Sequence, residues 1–110
     1  MKKVIIIPAR LSSSRLTNKV LLDLNGKTIL QRVFEKCIEV KDAVVYIATD
    51  SKRIKDSCVN YTSNVIMTSV RHKSGTERVI EALKNLKYDF AVNVQADEPF
   101  INPLLIEKIF

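Results

Sequence analysis

Apolar residues along this 110-residue chain fall into two alternating patterns. Short apolar runs occur at residues 4–7, 44–48, 65–67 and 90–94, the last broken only by Asn93, and such runs suit strands covered on both faces. Between them, apolar residues recur at helical spacing. Ile29, Leu30, Val33, Phe34, Cys37 and Ile38 follow Thr28, which has Gln31 three residues on in a capping-box pattern. Thr49, Asp50 and Ser51 offer N-caps for a short helix through Cys58. Ser74 and Glu77 form a second capping box, ahead of Val79, Ile80, Leu83 and Leu86 on one face. Asn102-Pro103 reads as an N-cap with proline at the first helical position, and Asn25-Gly26 marks a turn.

The resulting order is β-α-β-α-β-α-β-α. It predicts an α/β fold: a mainly parallel sheet with right-handed crossovers, the Rossmann-like, three-layered arrangement that the resemblance given below also implies. Residues 1–110 are expected to form one part of a single domain. The final helix opens at Pro103 and the sequence stops at Phe110, so the chain is expected to be the front part of a larger fold whose C-terminal half is absent.

Composition narrows the class. Hydrophobic residues make up 46% and charged residues 27%, a soluble globular balance. No apolar run reaches the length of a membrane span, and Pro8 and Arg10 interrupt the first one too early for a secretory signal, which predicts a cytoplasmic protein with no membrane insertion. The formal charge is +6, but the cations are interspersed with Asp and Glu and aromatics are only 6%. An anionic small molecule accounts for that excess as well as nucleic acid does, and no nucleic-acid partner is expected. Cys37 and Cys58 fit no metal or redox spacing.

Candidate chemistry gathers where strands end, the edge at which open α/β sheets bind ligands. After the first run come Arg10, Ser12, Ser13, Ser14, Arg15 and Lys19. Three cations among hydroxyls suit an anion, most naturally phosphates; a solvated basic loop is the plainer reading. Only Gly26 and Gly75 are present, so neither glycine-rich phosphate loop can form. After the fourth run, Asp97 and Glu98 stand before Pro99. They either open a turn or bring one carboxylate to Mg²⁺, which commonly takes one or two carboxylates plus substrate phosphates; Asp97, nearer the strand, is the candidate. Residues 67–78 run from a polar loop with the sole histidine, His72, into a helix N-terminus, where Ser74 and Glu77 also have a capping role. No nucleophile stands beside a base, and the cysteines sit in helical patterns, which argues against thiolate catalysis.

Taken together, these blocks resemble the sugar-activating nucleotidyltransferases, and within them the CMP-KDO synthetase (3-deoxy-manno-octulosonate cytidylyltransferase) subgroup. The resemblance lies in Ile7-Pro8-Ala9-Arg10, Ser13-Ser14-Arg15-Leu16, Lys19 and Leu21, and in Met67-Thr68 with His72 and Ser74-Gly75-Thr76-Glu77-Arg78. Asn93-Val94-Gln95 with Asp97-Glu98-Pro99 completes it, and Asp23-Leu24-Asn25-Gly26-Lys27 and Ala48-Thr49-Asp50 are also family-like. It implies transfer of CMP from CTP to KDO, releasing pyrophosphate, for lipopolysaccharide biosynthesis. By the same resemblance Arg10, Arg15 and Lys19 are the catalytic cations on the triphosphate, helped by Ser13, and Ala9 is nucleotide-binding. Ser74, Gly75, Thr76, Arg78 and Gln95 lie by the nucleoside, and Asp97 binds Mg²⁺. The full-length family is expected to be a homodimer. Two other readings are kept: a non-catalytic nucleotide-binding or self-association module, and a cytidylyltransferase for another sugar acid such as sialic acid.

The chain departs from the family pattern at Thr17-Asn18, Val20, Arg71 and Ala96. Alanine in place of glycine at 96 is expected to strain or crowd the nucleotide site if that position needs a positive φ or a bare backbone.

Overall fold

The computed structural model describes residues 2–11, 19–71 and 74–110. Four parallel strands form the sheet: β1 (Lys3–Ala9), β4 (Ala43–Thr49), β5 (Val65–Met67) and β6 (Phe90–Asn93), in the spatial order β5-β4-β1-β6. Between β1 and β4 lie a 3₁₀ turn (Lys19–Leu21), a small hairpin of β2 (Asp23–Leu24) and β3 (Lys27–Thr28), and helix α1 (Ile29–Cys37). Helices α2 (Lys52–Cys58), α3 (Gly75–Leu83) and α4 (Pro103–Ile109) complete the set. The predicted strands and helices are thus present with small shifts of boundary. The fourth strand ends at Asn93 rather than Val94, although the Val94 amide still donates to Ile6 O at 3.0 Å.

β1 is covered on both faces, as its unbroken apolar run requires. Ile5, Ile7 and Ala9 point into a core shared with Leu30, Val33, Phe34 and Cys37 of α1, Ile54 and Cys58 of α2, and Ile106 of α4. Ile6 points the other way, joining Ala48 of β4 and Val79 and Ala82 of α3. The alternation along β1 is therefore real but hidden, because both sets are apolar.

Each predicted N-cap closes its helix. Thr28 accepts from the Gln31 amide at 3.0 Å, Ser51 from Ile54 at 3.2 Å, Ser74 from Glu77 at 3.2 Å and Asn102 from Leu104 at 2.9 Å. The Asn25-Gly26 turn is a two-residue hairpin loop with both residues at positive φ, 56° and 91°, the twist that suits such a loop. Arg32 of α1 clamps it, donating to Leu24 O at 2.7 Å and Asn25 O at 3.0 Å.

Sheet order also locates a crevice. From β1 the chain steps outward to β4 and β5, then returns to place β6 on the other side of β1. That reversal opens a crevice beyond the carboxyl ends of β1 and β6.

Candidate active site

The register places the strand ends Ala9, Thr49, Met67 and Asn93 along one edge of the sheet. At the β1–β6 crevice lies a cavity of about 190 Å³ lined by Pro8, Ala9, Arg10, Gly75, Arg78 and Gln95. Five of those six, all but Pro8, are residues the sequence singled out as nucleotide-binding. Arg10 is exposed one residue past β1, and Ala9 is buried as its last residue. Gln95 is exposed just past β6.

The remaining wall is the first turn of α3. Gly75 sits against Pro8: a Cβ there would meet Pro8 Cγ at 3.3 Å, so glycine lets the helix approach the strand end this closely. Ser74 is the N-cap and Thr76 is exposed in the first turn.

Arg78 differs from what a binding cation would suggest. It is only 2% exposed. Its guanidinium donates to Asp50 Oδ2 at 3.1 Å, to Thr68 Oγ1 and to Ser69 O at 3.4 Å. Arg78 therefore ties α3 to the end of β4 and to the loop after β5, as well as lining the cavity. The same loop is gripped a second time, where the Ser69 amide donates to Glu81 Oε1 at 3.0 Å. Asp50 and Ser69 were not among the predicted site residues. Collecting the first polar residue after every strand, rather than after the first and fourth alone, would have found Asp50.

Lys19 lies in the 3₁₀ turn and donates through Nζ to Asp97 Oδ2 at 3.4 Å, with both side chains close to half exposed. A proposed phosphate cation and the proposed metal carboxylate thus meet on one side of the crevice. Ser13, Arg15 and His72 lie outside the described residues. Among the described residues no group of three or more His, Cys, Asp or Glu is placed to hold a metal.

Ala96 corrects an expectation. Positive φ among the described residues is confined to Asn25, Gly26 and Asp42, so alanine at 96 is not strained. Its methyl is buried in the cluster with Val20, Val94 and Ile106, and so contributes to the core rather than crowding the cavity. Both cysteines are free and buried, and burial pushes the Cys37 thiol up to about 12. It stays protonated at neutral pH, far from a reactive thiolate. No helix among the described residues is long and apolar enough to cross a membrane.

Comparison with known proteins identifies the family. The cytidylyltransferase family model matches residues 4–110. A 3-deoxy-manno-octulosonate cytidylyltransferase of Haemophilus influenzae (strain PittEE) is 43% identical over 112 residues, covering 99% of this chain and 44% of the relative. The enzyme of the same name from Parabacteroides distasonis is 46% identical over 111 residues, with the same coverage. The solved structure of CMP:2-keto-3-deoxy-manno-octonic acid synthetase complexed with CTP superimposes with a TM-score of 0.94 at 40% identity, covering 98% of this chain and 45% of that one. The chain thus spans less than half the length of these relatives. Its parallel sheet, the crevice at the reversal of strand order and the match over nearly every residue lead to one conclusion: the chain belongs to the cytidylyltransferase family.

Proposed function

We propose that residues 1–110 are the nucleotide-binding part of an enzyme that transfers CMP from CTP to KDO, giving CMP-KDO and pyrophosphate for lipopolysaccharide assembly. The observation that carries this is the convergence of Arg10, Gln95, Gly75 and Arg78 on one cavity, with Lys19 and Asp97 together beside the same crevice. In this reading the sugar's anomeric hydroxyl attacks the α-phosphorus and pyrophosphate departs. Such transfers depend mainly on positioning and charge stabilisation. Arg10, Arg15 and Lys19 hold the triphosphate and the leaving pyrophosphate, with Ser13 and the end of β1 at Ala9 alongside. Gln95 and the Ser74–Thr76 turn lie by the nucleoside.

Asp97 fits a Mg²⁺ site of the kind in which the protein gives one or two carboxylates and the phosphates complete the shell. Its carboxylate is accessible, and its partner Lys19 is held only by an exposed contact at 3.4 Å. Mg²⁺ bound there would neutralise charge on the α-phosphate. The family's full-length homodimer and a cytoplasmic setting belong to the same proposal.

The test is pyrophosphate release on mixing the chain with CTP, KDO and Mg²⁺, with sialic acid as the parallel acceptor. Slow KDO-dependent release supports the proposal, and release only with sialic acid changes the sugar. CTP binding without turnover favours a non-catalytic module. That second reading draws on Phe100, Leu104, Leu105 and Ile109, which are exposed, and on β6, which is paired along one edge only among the described residues.

A further inference from the structure

Two guanidinium groups line the cavity, and they are in opposite electrical states. Arg10 is exposed, and among the described residues no carboxylate pairs with it. Arg78 is buried and its charge is matched by Asp50 at 3.1 Å. Asp50 is itself largely covered, its side chain 18% exposed. A charge pair out of water is held far more tightly to its geometry than an exposed one. Thr68 and the Ser69 carbonyl take further donors of the same guanidinium. The Arg78 wall is therefore a fixed, nearly neutral array of N–H groups, and the Arg10 end carries a free positive charge.

We propose that Asp50 is a positioning residue of the nucleotide site: by holding Arg78 in a buried neutral pair it makes that wall a donor surface for a neutral oxygen, such as a pyrimidine carbonyl, and leaves phosphate to the Arg10 end. The inference rests on the nucleotide reading above and adds a polarity to it. A phosphate entering at the Arg78 end gains little, because the positive charge there is already spent on Asp50. A carbonyl oxygen gains a preorganised hydrogen bond without having to neutralise a charge. A nucleotide therefore enters in one orientation, base toward α3 and phosphates toward Arg10 and Lys19. Without the Asp50 carboxylate, the Arg78 wall becomes an uncompensated buried cation, which attracts anions indiscriminately.

The test compares CTP with inorganic tripolyphosphate, both with Mg²⁺, on the 110-residue chain by calorimetry. The unmodified chain is expected to prefer CTP. In Asp50→Asn that preference falls about tenfold, as loss of one well-placed hydrogen bond to a charged group would give, while tripolyphosphate affinity holds or rises. A parallel loss of both ligands, or no change in either, overturns the proposal by leaving Asp50 a structural role alone. Side-chain NMR of the unmodified chain gives the same answer without a variant. CTP should move the Arg78 Nε–H signal, and tripolyphosphate should move that of Arg10 and leave Arg78 in place. Equal movement of Arg78 by both ligands also overturns it. An unmodified chain that binds neither ligand removes the nucleotide reading itself and this inference with it, and is told apart by the absence of any wild-type signal.

Discussion

Ala96 has its methyl in the apolar cluster and its backbone at an ordinary φ. Ala96→Gly should thus destabilise the chain by roughly 1 kcal/mol, from a lost buried methyl and added backbone freedom. Urea midpoints with and without CTP check this: stability should fall and nucleotide affinity should stay. Arg10 is the complementary case, exposed and lining the cavity. Arg10→Ala should weaken CTP binding about tenfold or more, and more at low salt than at high, since the contact is accessible to screening ions; titration calorimetry at two salt concentrations reads both. Cys37 gives a pH signature. Burial raises its folded thiol from 9.0 to about 12, so between those values the folded state holds a proton that the unfolded state has lost. Stability is complete below pH 9 and falls as pH rises toward 12. Denaturant melts from pH 8 to 11 should show that decline, and Cys37→Ala should flatten it.

At the scale of elements, the hairpin of β2 and β3 shows what sequence patterns reveal and what they miss. Asn25-Gly26 announces a turn, but strands of two residues are too short to have a period, so their pairing could not be read. The hairpin is held instead by Arg32 from α1, a contact between elements. Gly26 has nothing within 4 Å of where a Cβ would stand, so space is not its constraint; its φ of 91° is. Gly26→Ala should cost about 1–2 kcal/mol through backbone strain alone, read as a shift in thermal midpoint without change in CTP affinity. The α3 turn was legible through Ser74, which has a local job as N-cap. The pairing of Arg78 with Asp50 was not, because the two are 28 residues apart and only the fold brings them together. β1 and β4 were legible because each is a long apolar run, buried throughout most of its length; β5 and β6 were legible from shorter, largely apolar runs, although both are partly exposed. The Lys19–Asp97 meeting was not, because it joins positions 78 residues apart.

For the whole molecule, the exposed apolar side chains of Phe100 and α4, with the unpaired edge of β6, set the expected behaviour in solution. Phe100 is 83% exposed, and Leu104, Leu105 and Ile109 stand out from α4. Grouped exposed apolar side chains and an open strand edge both favour association. Sedimentation velocity should therefore show mass rising with concentration, and Leu104→Lys with Leu105→Lys should return the chain toward monomer. The net charge of +6 opposes this association most at low ionic strength, so added salt should strengthen it.

The place of β1 at the centre of the sheet has a further consequence, for synthesis. β1 is the first strand made, and it gains one neighbour in β4, where Lys3 stands against Ala43. Its other neighbour, β6, is made only after β4 and β5: Lys3 also stands against Phe90, and the Lys2 amide donates to Asp89. At roughly 5–20 residues per second, the ribosome takes several seconds to deliver that second partner. Throughout that interval the most apolar strand of the chain has one open edge, beside the ribosome and in reach of whatever chaperone waits at its exit.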